Sequence, residues 1–324
     1  YEITYGDWSS DVCSSDLDRA RLTRMKPAAD RRMIGIEELD ALDLTIWLGR
    51  GSDAASHLGC NQSTISRRSN QCLEVFDLRL HRDAEGWPRI RQHDLLQLER
   101  QVHQLHRLRE GRHLRIDASL LAAPLLQGAT PHGWIAGSLN QLGWQRPIRL
   151  LEERILDAWI TAMGQELSEA SSSVLLCIPL LITPLQLACT ADHPLLHQGA
   201  LTLNDLVGLP RLAPRQGLYT RTEQLLGPWR EQHRPLTLDT SPRRRSGLVE
   251  GPMPNEVLQY ATRFSLAHQR RLQPLPLELG VATELTLVMS RDIADQAAMV
   301  QLVETLQERA QMAALADLGV QGRN

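Results

Sequence analysis

Gln62, Ser63, Thr64, Ser66, Arg67 and Arg68 gather hydrogen-bonding side chains of three kinds into a short stretch of chain. A glutamine amide can pair bidentately with adenine and an arginine guanidinium with guanine, while serine and threonine hydroxyls can bond phosphate oxygens. That chemistry reads nucleic acid when a rigid element presents it on one surface. The same residues also suit the solvated face of any helical hairpin, and periodicity alone leaves both readings open. Arg82 follows, adjacent to the stretch Asp83–Arg91 that carries Arg89 and Arg91 and in which Gly86 and Pro88 mark a turn. They can touch phosphates or simply line a solvated loop.

Positioning such side chains needs two crossing helices. Leu39, Leu42 and Ile46 recur at helical spacing and predict a first amphipathic helix. Ser52 or Asp53 can cap a short second helix over Ala54–Leu58. Ala54 and Ala55 are small enough for close crossing, and Gly59 supplies the positive φ of a tight turn. A third helix then begins near Gln62, with Ile65, Cys72, Phe76 and Leu80 on one face. This is the logic of a helix-turn-helix, in which the second helix of the pair offers its N-terminal residues to base edges.

Downstream, Leu95, Leu98, Val102 and Leu105 form an a/d stripe within His93–Arg109. The stripe is too short to hold a coiled coil unaided, and it also suits a surface helix lying on its own domain. His103 and His106 are one turn apart, but no carboxylate or cysteine completes a metal set, and they are expected to be solvated. From Gly111 onward, strands are predicted at Leu114–Ala118, Ile148–Leu151, Ala158–Ala162, Val174–Ile178, Leu185–Cys189 and Leu285–Met289. Helices are predicted at Thr220–Gln232 and Asp295–Ala314. This alternation implies an α/β fold with a mostly parallel sheet.

Composition sets the bounds. The chain has 324 residues, 42% of them apolar and 23% charged, with a formal net charge of −3. That excludes collagen-like and highly charged disordered chains and any global polycation. The charge is uneven: 34–58 holds one arginine against five acids, whereas 59–92 holds six arginines against four. The positive segment coincides with the nucleic-acid candidates. A head of negative net charge binds DNA weakly alone, so two heads must be paired. Lys26 is the only lysine. Cys13, Cys60, Cys72, Cys177 and Cys189 are scattered without a C-x-x-C pair, which fits a reduced cytoplasmic chain. Ala170–Ala191 carries no charge, yet Ser171–Ser173, Pro179 and Pro184 point to two buried strands with a proline-bounded connection rather than a membrane span. No nucleophile elbow, Walker loop, dinucleotide fingerprint or H-E-x-x-H pair is present, so neither an enzyme nor a cofactor is expected.

Ala54, Ala55, Leu58, Gln62 and Ser66, followed by Arg67 and preceded by Leu39 and Leu42, resemble the head of the LysR-type transcriptional regulators. Departures occur where the family usually has an aliphatic residue (Ser69), leucine (Cys72), glycine (Asp77), and phenylalanine and arginine before the wing (His81 and Asp83). The resemblance continues in HLRIDAS at 113–119, in RILDAWI at 154–160 with Asp157 in the acidic position, and through 184–212. The family's later glycine-rich segment is not recognisable, and its place is held by 257–280.

The resemblance implies a mainly α winged helix-turn-helix head, followed by an α/β sensor of two lobes like a periplasmic binding protein. Implied partners are double-stranded DNA, a small-molecule effector in the interlobe cleft, and further copies in a homodimer or homotetramer. Ligands of such folds sit beyond the carboxyl ends of strands. That makes Ser119 and Thr161 candidate contacts from one lobe and Gln216 and Gly217 from the other; each can equally be a local cap. Arg243–Arg245 can contact an anion or line a solvated loop. The expected division is a non-native or disordered tail at 1–33, a DNA-binding head at 34–92, a linker and dimerisation helix at 93–111, and an effector domain at 112–324. Gly6–Leu17 resembles a translated sequencing-adapter fragment rather than a signal peptide, so the natural start is expected at Met25 or Met33. The departures in the head also suit a second reading, a ligand-binding or association protein that has lost specific DNA binding.

Overall fold

The computed structural model describes residues 34–84, 86–126, 130–139, 144–162, 164, 167, 173–206, 209, 211–212, 235–236, 258–269 and 271–321. Three helices open it: α1 (Ile36–Leu48), α2 (Gly51–Leu58) and α3 (Gln62–Val75). Gly59 ends α2 with φ 62°, the left-handed turn expected of it. The expected caps at Ser52 or Asp53 are not used. α2 begins at Gly51, and its N-cap, Arg50, makes no side-chain cap bond. Strands β1 (His81–Arg82) and β2 (Pro88–Arg89) pair antiparallel as a small wing. Helix α4 (Asp94–Glu110) then leads into the α/β region.

That region contains two five-stranded sheets. The first runs in the order β4 (Trp134–Ala136), β3 (Leu114–Ala118), β5 (Ala158–Thr161), β12 (Ala282–Ser290), β6 (Leu175–Pro184). The second runs β11 (Leu272–Pro274), β7 (Gln186–Thr190), β10 (Leu258–Ala261), β8 (Arg211–Leu212), β9 (Pro235–Leu236). Both are mixed rather than mostly parallel: β3 is parallel to β4 and β5, while β12 runs antiparallel to β5 and β6. The chain crosses between sheets twice, at Leu185 and again between β11 and β12. The crossings meet where the Leu185 N–H donates to the Val281 carbonyl at 2.8 Å.

Two expectations need correction. Ile148–Leu151 is not a strand but part of helix α5 (Gln145–Glu152), with Pro147 in the first turn where its missing N–H costs nothing. A short apolar run cannot be assigned to strand or helix by periodicity alone. The two strands expected within Ala170–Ala191 do form, as β6 and β7, but they part at Leu185 rather than across a connection that begins at Pro179. β6 runs through Pro179 as an edge strand, with a register shift opposite Leu285/Thr286 absorbing the irregularity. Helices α6 (Arg263–His268) and α7 (Ala297–Gln321) follow, and α7 covers most of the helix expected near Asp295–Ala314. The helix expected at Thr220–Gln232 and the Arg243–Arg245 loop lie outside the described residues.

Core packing joins the head to the first sheet. One continuous cluster unites Leu39, Leu42, Ile46 and Trp47 of α1, Ile65 and Cys72 of α3, Leu150 and Leu151 of α5, Trp159 of β5 and Val288 of β12. Helix α1 is buried on nearly all sides for this reason, packed between its own hairpin and the first sheet.

Candidate nucleic-acid interface and effector cleft

Asn61 starts the third helix. Its Oδ1 accepts the Thr64 N–H at 2.8 Å, the Thr64 hydroxyl at 2.9 Å and the Ser63 hydroxyl at 2.7 Å. Residues like this satisfy the free N–H groups of a helix's first turn. Asn61 was not singled out from sequence, although an asparagine directly before a polar first turn is a capping signal. Gln62, Ser63, Ser66 and Arg67 are exposed along the first turns, and Thr64 is half-buried. Arg68 turns aside to pair with Glu37 at the start of α1.

The wing is organised by a residue that departs from the family pattern. The Asp83 carboxylate accepts the Trp87 N–H at 2.9 Å, and the Asp83 N–H donates to the Trp87 carbonyl at 3.0 Å around Gly86. Arg82, exposed, donates to the Gly86 carbonyl across its own turn. Asp77, in place of a glycine, keeps the left-handed backbone with φ 52°, a region aspartate tolerates better than most residues. Cys72 is fully buried in the head's core, where burial pushes its thiol up to about 12, so it stays protonated and serves as packing.

Beneath the head lies a seam of buried charge that sequence reading missed. Arg115, on β3, donates to Asp40 at 2.6 Å and lies 3.5 Å from Asp43, both on α1. Arg100 on α4 donates through Nε to Asp43 at 2.9 Å. Asp157, wholly buried, accepts from Arg107 at 2.9 Å, from Gln104 at 3.0 Å and from the Arg115 backbone N–H at 2.8 Å. Beside it the Trp47 indole donates to Asp117 at 3.0 Å. Arg146 donates to the Ile46 carbonyl at 3.2 Å and to that of Trp47, and its guanidinium stacks 3.5 Å over the Trp87 ring.

Three arginines thus neutralise three aspartates out of water, the condition for tolerating buried charge. Burial by itself lowers the Arg107 pKa, but Asp157 reverses the sign and holds it above the ordinary value. Burial and Arg107 together hold Arg115 below its own ordinary value, against the pull of Asp40, Asp43 and Asp157. Asp40 and Asp43 therefore do not present their charge to solvent, which removes much of the acidity that α1 contributes by composition. His103, expected in solvent, is buried in this layer; His106 is exposed as expected.

In the sensor, Ser119 and Thr161 lie side by side beyond or at the carboxyl ends of the parallel strands β3 and β5, where Ala118 pairs with Ile160. Both are buried. The Ser119 hydroxyl accepts the Ala162 N–H at 3.2 Å, which is the local-cap geometry. Thr283 donates to the Ala162 carbonyl at 2.6 Å, and Thr286 faces Thr161 in register. Gln216 and Gly217 lie outside the described residues. Among the described residues no cluster of three or more His, Cys, Asp or Glu can hold a metal, and no helix is long and apolar enough to cross a membrane.

A family model described as the LysR substrate binding domain matches residues 132–311, more than half of the chain. No curated protein matches. Among solved structures, the probable transcriptional regulator PA0477 from Pseudomonas aeruginosa is 16% identical, with 84% of this chain and 95% of that one covered at a TM-score of 0.47. ArgP from Mycobacterium tuberculosis is 14% identical, with coverages of 86% and 98% and a TM-score of 0.45. CrgA, a LysR-type transcriptional regulator from Neisseria meningitidis, is 18% identical, with coverages of 84% and 98% and a TM-score of 0.42.

Proposed function

The chain belongs to the LysR-type transcriptional regulator family, and from that premise we propose that it binds operator DNA as a paired regulator whose state is set by a small-molecule effector. Members of the family are regulators, not enzymes. The observation that carries the DNA reading is the exposed first turns of α3. There Gln62, Ser63, Ser66 and Arg67 stand on a capped helix backed by α2 and a left-handed turn at Gly59. In this reading residues 34–92 form the head, 93–111 the linker and pairing helix, and 112–324 the effector domain. The molecule works in the cytoplasm, where its DNA is.

Pairing runs through the outer face of α4. Leu95, Leu98, Val102 and Leu105 are 62, 58, 62 and 43% exposed, an apolar stripe that a second copy of the helix covers as a homodimer, or as half of a homotetramer. The effector sits between the lobes, near Ser119 and Thr161 and opposite Gln216 and Gly217. Because α1 and the first sheet share one core, a shift of that sheet carries the head with it, and an effector favouring one arrangement selects it.

The second reading is a protein of this descent whose head serves association only. Arg68 held by Glu37 and Arg82 bonded to its own turn favour it, since both guanidiniums are already engaged within the chain. A gel-shift titration against the DNA flanking the gene, at low and moderate salt, separates the two. Sequence-selective, salt-sensitive binding supports the regulator; indifference to DNA at low salt rejects it. Within the regulator reading, Gln62→Ala relaxes specificity at one operator position by about 1–3 kcal/mol. An equal loss on every sequence assigns Gln62 to the backbone instead.

A further inference from the structure

A cavity of about 300 Å³ opens where the start of α1, the end of α2, the carboxyl-terminal turn of α4 and the approach to β3 meet. It lies at the seam between head and sensor rather than at the carboxyl ends of β3 and β5, where Ser119 and Thr161 stand. The volume falls at the lower end of the range for small-molecule sites.

Its lining has an unusual charge balance. Arg68 pairs with Glu37 and Arg112 with Glu110 there, beside Arg107, Asp40, His106 and His113, and Ile36 and Leu58 supply an apolar surface. A ligand of one sign meets as many like charges as opposite ones there. A ligand carrying both signs pairs with each set, and its hydrocarbon part is received by Ile36 and Leu58. Arg107 is 4% exposed and is held by Asp157 through Nη2.

The geometry points to a second ligand site at this seam, for a small zwitterion with an apolar tail, distinct from the interlobe cleft. Two of its walls, Asp40 and Arg107, also belong to the ion network that seats α1 on the first sheet. A ligand that pairs with either alters how firmly the head is held, whether or not the head meets DNA.

The test is calorimetric titration of the intact chain with L-leucine, which carries both charges and a branched tail. Isovalerate and isoamylamine, which carry one charge each, serve as single-sign probes. Leucine is expected to bind, and each single-charge probe to bind roughly tenfold more weakly or not at all. Leu58→Trp fills the cavity and is expected to abolish the leucine signal. The rim variant Glu110→Gln/Arg112→Gln changes only exposed side chains and is expected to weaken leucine by roughly tenfold. Hydrogen exchange across α1 is expected to change when leucine is added to the intact chain and to stay unchanged in Leu58→Trp. No leucine binding to the intact chain overturns the site, as does binding undiminished in both variants. A single-charge probe that binds as well as leucine overturns the ligand class.

Discussion

Helix α4 has two faces that reverse the usual order. Between buried Leu96 and Leu108 it turns Arg100, His103, Gln104 and Arg107 to the interior, at 3, 7, 0 and 4% exposure, while toward solvent it shows Leu95, Leu98, Val102 and Leu105. Amphipathic helices normally bury the apolar stripe and expose the polar one. The inversion teaches that the faces answer to different partners. The inner face meets Asp40 and Asp43 of α1 and Asp157 just before β5, whose buried carboxylates need hydrogen-bond donors and countercharge. The outer face is left largely uncovered by the described residues of its own chain, and in the proposed reading a second copy covers it.

The largest expected effect comes from breaking the inner face. Asp43→Ala removes the carboxylate that faces both Arg100 and Arg115. Stranding buried guanidinium charge costs about 3–5 kcal/mol. Urea unfolding of the variant should show a loss of that size; a loss below about 1 kcal/mol places the pair in solvent-like surroundings and dissolves the contrast between the faces.

A smaller effect is expected at the seam's edge. Trp47→Phe keeps most of the packing and deletes the indole N–H that donates to buried Asp117. Leaving an acceptor short of a partner costs about 1–3 kcal/mol. Thermal or urea unfolding checks it, and an unchanged midpoint shows that the bond contributes nothing to holding α1 on the sheet.

The smallest effect separates the inner face by pH. Burial holds the His103 imidazole below its ordinary 6.5, against the opposing pull of Asp40, Glu99 and Asp43, while Arg107 adds to the lowering. Its nearest carboxylate is Glu99, at 3.8 Å. Since the fold prefers the neutral ring, the unfolded chain binds the proton first as pH falls. The His103 contribution is therefore present above pH 6.5 and is lost as the pH drops through and below that value. His57, also lowered by burial, acts in the same sense, so the informative quantity is the difference between the intact chain and His103→Gln. That difference should shrink from pH 7.5 toward pH 5; a difference independent of pH places the ring in solvent.

How much of this could be read in the chain follows from where each signal is stored. The head was legible because its signals are local: Ala54 and Ala55, the turn at Gly59 and the polar opening of α3 lie within a few residues of one another. Both lobes were legible in outline, through strands such as Leu114–Ala118. The short run Ile148–Leu151 misled, since its apolar residues fit strand and helix alike and Pro147 was the only local hint. The seam was not legible. Asp43 and Arg100 are 57 residues apart and Asp40 and Arg115 are 75, and an arginine on a helix reads as solvated until its partner is placed. The Leu95–Leu105 stripe was recognised, but the polar face behind it was passed over.

In the proposed function paired heads read DNA, and α4's outer face makes the pair. Fluorescence anisotropy with one labelled operator duplex and one scrambled duplex, comparing the intact chain with Leu98→Glu/Val102→Glu, tests it most directly. Circular dichroism on the same samples verifies the fold, and sedimentation verifies the number of chains. The intact chain is expected to sediment as a dimer or larger and to prefer the operator. The variant should sediment as a folded single chain that has lost both affinity and preference. Equal binding by the two proteins, or a dimer that persists in the variant, contradicts it.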